Sequence, residues 1–310
     1  MLRRRGVRGA VAGLLALGVL VPPPVRANPV TVPVGFVERY PQVAARMRAA
    51  GSPYADWAAA GRSFLVFDPH GDGRIVEVLG DLGNADRIVV LVPGVGTTVR
   101  TFDQGLGGVT RRAPAAQARA LYAELRATAP AARVAVLAWL GYDPPDGLGL
   151  AAARPDRARD GARALVALVT TLVRHRPGAT VTLVGHSYGA LVVGLAASAL
   201  PSQVTALVSL GGVGMGTDRV DRLGTRAEVW AAEAPDDWIR RIPPLRIGDL
   251  GHGVRPADPA FGARHLPVGG VTGHDGYLVP GSATLHATAL VSLGGGGTAA
   301  PAPTLSVATR

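Results

Sequence analysis

Val181-Thr182-Leu183-Val184-Gly185-His186-Ser187-Tyr188-Gly189-Ala190 is the stretch on which the reading of this chain turns. Thr180 to Val184 is apolar and β-branched, the make-up of a short buried strand. Ala190 to Leu200 carries a helical pattern. Between them, Gly185-His186-Ser187-Tyr188-Gly189 has the form G-x-S-x-G, in which a serine rides a strand-to-helix turn sharp enough to lift its oxygen above the sheet. The two glycines give strand and helix room to approach each other. In a chain with 42 glycines the five letters alone carry little. A plain glycine-rich turn ending a strand would not need both flanks, and the flanks single out Ser187 as the candidate nucleophile.

Outward from this turn, strands and helices alternate. Arg87–Val92, Val134–Leu140, Thr180–Val184, Val204–Leu210 and Glu228–Ala232 read as strands. Ala115–Ala127 and the amphipathic Asp156–Arg174 read as helices between them. Apolar strands alternating with helices predict an α/β fold with a mostly parallel sheet covered on both faces. Ser63–Phe67 and Arg74–Leu79 predict a hairpin that adds antiparallel strands at one edge. Its connection holds Asp68, Asp72 and Gly73 but lacks the ligand spacing and terminal glutamate of a calcium loop, so it reads as a plain turn. Val37–Ala50 and Tyr54–Ala60 are helix-like and broken by Gly51-Ser52-Pro53. The short apolar run Leu266–Val268 is the expected last strand.

Four segments follow: an export signal at 1–27, a helical segment at 28–60, the α/β domain at 61–293 and a disordered tail at 294–310. The tail is rich in Gly, Ala, Pro and Thr. The export signal has a basic start (Arg3, Arg4, Arg5, Arg8), an apolar run from Ala10 to Val21, and Val25-Arg26-Ala27 as a cleavage pattern. That run is too short for the roughly 20 residues that span a bilayer as a helix. The expected location is therefore outside the cell or in its envelope, the alternative being an N-terminal membrane anchor. Net charge is +10, with 32 arginines and no lysine. Five arginines precede residue 28; the other 27 are scattered among 22 acidic residues without a basic stripe, which speaks against nucleic acid as a partner. The absence of cysteine excludes disulfides and thiolate chemistry.

A serine nucleophile needs a base to take its proton, an acid to orient the base, and donors for the oxyanion. On a scaffold of this order the acid and then the base follow the serine along the chain. Four histidines follow Ser187: His252, His265, His274 and His286. His274, in Gly273-His274-Asp275-Gly276-Tyr277, sits where the loop after the last strand is expected, with His252 as the rival. After Glu228–Ala232 come Asp236 and Asp237, at the strand end where open α/β sheets place their sites. Asp237 is favoured, and either aspartate could instead cap a helix at Trp238–Arg241. The oxyanion donors expected are the backbone N–H of Tyr188 and, from Pro93-Gly94-Val95-Gly96-Thr97-Thr98, that of Val95. Gly94, His186, Trp139 and Tyr142 are the candidate substrate-binding residues; a packed turn is the competing reading of Ala138–Pro145. This chemistry requires no metal or organic cofactor.

Taken together, Val92–Thr98, Ala138–Pro145, Val184–Ala190, His252-Gly253, Phe261–Arg264 and Gly273–Tyr277 resemble an uncharacterised actinobacterial family of α/β-hydrolases with a Gly-His-Ser-Tyr-Gly elbow. The likeness runs from about residue 60 to 290. It implies the α/β-hydrolase fold and a triad of Ser187, an aspartate matching Asp237, and His274; it implies no substrate. Two places depart from the pattern: Gly211-Gly212-Val213-Gly214 stands where relatives often have Gly-Ser-Pro-Gly, and Ala234–Ile239 where they have Ala-x-x-Asp-Pro-Ile. The expectation is a serine hydrolase cleaving an ester, thioester or amide of a small-molecule acyl substrate. Acyl transfer to an envelope alcohol and a non-catalytic binding module are the alternatives, and no obligate protein partner is inferred.

Overall fold

The structure, a computed structural model, describes residues 37–248 and 250–295. The expected export signal at 1–27 and all but the first two residues of the expected tail lie outside the described residues.

The β-branched, apolar runs form the strands, and burial explains their composition. β1 (Ser63–Asp68) and β2 (Arg74–Gly80) are the expected hairpin. β3 (Arg87–Val92), β4 (Val134–Leu140), β5 (Thr180–His186), β6 (Val204–Leu210) and β7 (Glu228–Ala232) follow the expected boundaries, β5 running two residues further. All seven residues of β4 are buried, as a strand covered on both faces requires. The sheet has eight strands in the order β1-β2-β4-β3-β5-β6-β7-β8. β1, β2 and β4 pair antiparallel, and the rest pair parallel.

Helices cover both faces. α1 (Tyr40–Ala49), α2 (Tyr54–Ala59), α3 (Pro114–Thr128) and α7 (Ala283–Ser292) contribute Met47, Ala58, Leu121 and Leu285 to one apolar layer. α5 (Asp156–His175) and α6 (Tyr188–Ala196) pack on the opposite face, with α4 (Leu150–Ala153) leading into α5. The buried side of α5 is Ala158, Ala162, Leu165, Leu168, Val169 and Leu172, the three-and-four spacing of an amphipathic helix. No helix among the described residues is long and apolar enough to cross a membrane.

Two expectations need correction. The last strand, β8, is Arg264–His265 rather than Leu266–Val268. Leu266 still donates its N–H to the Ala231 carbonyl at 2.9 Å, but Pro267 has no N–H with which to extend the ladder. The sequence reading passed over two α-helices, the single-turn α4 and the longer α7. The Ala, Thr and Ser residues of α7 blur any polar face, and its local signal is the cap, where Ser282 Oγ accepts the Leu285 N–H at 3.2 Å.

The topology sets the site. From β3 the chain goes to β4 on one side, then returns to place β5 on the other. Such a reversal opens a crevice at the carboxyl ends of the two central strands, where open α/β sheets bind ligands. In register, Val92 stands beside Gly185, and Gly185 beside Ser209. The loops after β3, β5 and β6 therefore emerge side by side.

Candidate active site

Ser187 occupies the turn between β5 and α6 with φ 56° and ψ −121°. Among the described residues it is the one non-glycine with positive φ. Such backbone costs on the order of 1–3 kcal/mol and persists where its surroundings over-determine it. Here the Ser187 N–H donates to the Leu210 carbonyl at 2.9 Å, tying the turn to the end of β6. The flanking glycines are sterically obligatory. A Cβ on Gly185 would lie 2.6 Å from Ala190 Cα, and one on Gly189 would lie 2.2 Å from the Val92 carbonyl oxygen.

β7 delivers the acid. Asp237 is buried, and its two carboxylate oxygens lie 2.9 and 3.0 Å from His274 Nδ1. Oδ1 also accepts the Ile239 N–H at 2.8 Å, and Oδ2 accepts the Tyr277 hydroxyl. Burial pushes this carboxyl's pKa up; the hydrogen bond and charge of His274, the Tyr277 hydroxyl and the Ile239 N–H outweigh it, and the net shift is downward. Asp237 thus both caps the turn at Trp238–Arg241 and holds the histidine, two roles the sequence reading had divided between neighbours. Asp236 instead accepts the Gly273 N–H at 2.9 Å, anchoring the start of the histidine loop.

His274 is buried and held on several sides. Its ring lies 4.4 Å from that of Trp238 and 4.8 Å from that of His186, centroid to centroid. Because a carboxylate only accepts, Nδ1 carries the proton, and Nε2 presents its lone pair. Nε2 is buried with no hydrogen-bond partner, and no bond joins it to Ser187 Oγ in this structure. Ser187, His274, His186, Trp238, Gly94 and Val95 line one cavity of about 250 Å³. A larger hollow of about 560 Å³, lined by Arg39, Arg46 and residues of β1, contains none of these side chains.

The other sequence candidates fall into two groups. Gly94, Val95 and His186 face the cavity. The Val95 and Tyr188 N–H groups have no acceptor among the described residues. The Tyr188 side chain is buried, its hydroxyl donating to the Arg154 carbonyl at 2.7 Å and accepting the Ala158 N–H at 3.2 Å. His186 Nε2–H donates to the His274 carbonyl at 2.7 Å. Burial, then repulsion from His274, lowers the His186 pKa to about 4, so that ring is neutral at pH 7. Trp139 and Tyr142, by contrast, do not reach the cavity. They stack on each other at 5.8 Å in the core, and the Tyr142 hydroxyl donates to the Pro93 carbonyl at 2.6 Å. Theirs is the packed-turn arrangement, and Tyr142 supports the loop after β3 from behind. His252 lies away from Asp237, its Nε2–H bonded to the Ala152 carbonyl at 2.6 Å and its ring edge-on to Tyr188.

The chain matches the alpha/beta hydrolase family over residues 68–247. It belongs to that family. The match includes Ser187 and Asp237 and stops before His274. An uncharacterized protein of Mycobacterium tuberculosis is 36% identical over 152 residues, covering 45% of this chain and 53% of the relative. The chain thus spans about half the length of the curated relatives it matches. Among solved structures, a dienelactone hydrolase from Anabaena variabilis is similar at 17% identity and TM-score 0.44, over 75% of this chain and 95% of that one. A carboxylesterase from Mesorhizobium loti is similar at 16% identity and TM-score 0.42, over 74% and 98%.

Sequence reasoning assigned no role to Tyr277, Asp275 or Gly211. The Tyr277 hydroxyl bridges Asp237 and the Ala234 N–H, which it accepts at 3.0 Å. Asp275 pairs with Arg112 at 2.7 Å across the cavity mouth. Gly211 (φ 55°) ends β6, and a Cβ there would come within 2.8 Å of Asp237 Oδ2 and 3.1 Å of His274 Nδ1. Tyr277 had a weak signal, three residues beyond the chosen histidine. The other two had none.

Proposed function

We propose that this alpha/beta hydrolase is a serine hydrolase that cleaves an ester, thioester or amide through an acyl-enzyme on Ser187. Ser187 Oγ attacks the carbonyl carbon while its proton passes to His274 Nε2. Asp237 keeps His274 in the Nδ1–H tautomer and stabilises the imidazolium that forms. The oxyanion accepts from the Val95 and Tyr188 N–H groups. The tetrahedral intermediate collapses with cleavage of the bond to the leaving group, which takes the proton from His274. Water then attacks the acyl carbon, gives a proton to His274, and the proton returns to Ser187 Oγ as the acid leaves.

One observation carries the reading: a buried histidine whose Nδ1 is held by an ionised carboxylate and whose Nε2 has no partner, in the same cavity as a serine on a strained turn. Candidate nucleophile–base pairs are often unbonded without substrate and tighten when it binds. The export reading rests on the pattern of residues 1–27.

Reaction of the purified protein with a fluorophosphonate probe tests the assignment. The expected adduct maps to Ser187 by peptide mass spectrometry and is absent from Ser187→Ala. Folded wild-type protein that leaves the probe unreacted overturns it.

A further inference from the structure

The exposed large hydrophobic residues are unevenly placed. Leu106 and Leu148 line the cavity mouth, and Leu150 opens α4 two residues on. Ile242, Leu245, Ile247 and Leu250 follow the turn that carries Trp238, which also lines the cavity. No other large hydrophobic side chain among the described residues is as exposed. Ile247 is 76% exposed, Leu148 68% and Leu150 66%. The two stretches are joined: the Gly251 N–H donates to the Ala153 carbonyl at 2.9 Å, and His252 Nε2–H to the Ala152 carbonyl. Scattered surface leucines are ordinary; a joined set that begins at a cavity mouth, with two of its members in the lining, is not.

Charge and composition point to what covers this rim. The stretches 146–150 and 238–250 together carry Arg240, Arg241 and Arg246 against two acidic residues, Asp146 and Asp249. Arg240 pairs with Glu233, whereas the Arg246 guanidinium, among the described residues, donates to the carbonyls of Gly248 and Gly216. Aliphatic side chains interleaved with arginine suit the boundary of an anionic bilayer, where the apolar tips enter the acyl region and the cations stay with the headgroups. Protein interfaces favour aromatic anchors, and the seven exposed residues are all leucine or isoleucine, Trp238 being only partly exposed. The cavity, at about 250 Å³, is also smaller than the roughly 300–1,000 Å³ of sites that enclose a whole ligand. It takes the reacting group and a few carbons, leaving the rest of a longer substrate on the rim.

We propose that this rim docks on an anionic lipid surface, so that the cavity mouth faces the layer and receives an ester of a lipid held in it. The substrate half rests on the serine-hydrolase reading; the docking half does not.

Because the chain has no cysteine, a single introduced thiol can be labelled cleanly. Full-length Ile247→Cys, carrying a polarity-sensitive fluorophore, is titrated with phosphatidylglycerol or phosphatidylcholine vesicles. Ala127→Cys, exposed near the end of α3 at the opposite end of the sheet, is the control. The expected result is a blue shift at position 247 on phosphatidylglycerol, little on phosphatidylcholine, and none at position 127. Adding Leu245→Asp and Leu250→Asp should cut the affinity behind that shift at least about tenfold, the factor expected for losing burial of one large aliphatic side chain. A label that stays in water on vesicle-bound protein overturns the proposal, because attachment through residues 1–27 alone gives that outcome. A label already dry without vesicles, and drier with protein concentration, also overturns it by showing that a second copy covers the rim. An equal shift on both lipids removes the anionic requirement and with it the proposal as stated. Ser187→Ala should give the same shift, so docking and serine chemistry fail separately.

Discussion

Replacing Tyr277 by Phe removes one oxygen and cuts two bonds in the buried heart of the site. The hydroxyl donates to Asp237 Oδ2 and accepts the Ala234 N–H at 3.0 Å. A hydrogen bond to a charged group contributes about 1.5–3 kcal/mol, and a buried backbone donor left without a partner costs about 1–3 kcal/mol. Relaxation and water entry recover part of the sum, so the expected loss at pH 7 is about 2–4 kcal/mol. The loss should depend on pH in a defined direction. Asp237 has a depressed folded-state pKa, so its interactions stabilise the fold fully above the unfolded value of about 3.9 and fade as pH falls through the folded value. Removing one of its donors raises that folded value. The wild-type advantage should therefore be largest near neutrality and shrink below about pH 4. Urea unfolding of both proteins at pH 7 and at acid pH measures it. His274 keeps its own bond to Asp237, so a rate assay should also find the acid limb of activity moved to higher pH with the neutral rate reduced only modestly. Equal unfolding midpoints at pH 7, or a difference that grows on acidification, would refute the assignment of Tyr277 as a donor to an ionised Asp237.

Further expectations concern the neighbouring groups. Asp237→Asn presents an amide where Nδ1–H now finds a carboxylate, favouring the wrong histidine tautomer; the rate of fluorophosphonate labelling should drop by about four orders of magnitude, with far-UV circular dichroism unchanged. A mutant that labels at the wild-type rate contradicts that role. His186 is held neutral, its pKa lowered to about 4 against about 6.5 when unfolded, so wild-type stability should fall as pH drops through that interval, by about 1.5 kcal/mol between pH 6.5 and 5. His186→Gln keeps an amide donor for the His274 carbonyl and should lose most of that slope in urea titrations at the two pH values.

The strands were legible because their signal is local. Ile88–Val92 and Val134–Leu140 are apolar throughout, and continuous apolar β-branched runs have few alternatives to a covered strand. Ser187 was legible for the same reason, since elbow, strand and helix are adjacent in the chain. β8 was placed just beyond its true position because a two-residue edge strand has no periodicity to read, and α7 was missed because it has no polar face. Trp139 and Tyr142 look the same in sequence whether they face a cavity or a core. Their stacking beneath the loop after β3 is a fact of packing.

By itself, the sequence determined the alternation of strands and helices, the turn on which Ser187 sits, and the short list of acids and bases. These depend on neighbours within a few residues. The tertiary structure decided which of two adjacent aspartates holds His274, that Tyr277 and Gly211 close around that pair, and that Leu106 and Leu148 share the mouth of the cavity. The physical reason is distance along the chain. Asp237 and His274 are 37 residues apart, and Leu106 and Leu148 are 42 apart, so only the sheet order that aligns the ends of β3, β5, β6 and β7 brings each pair together.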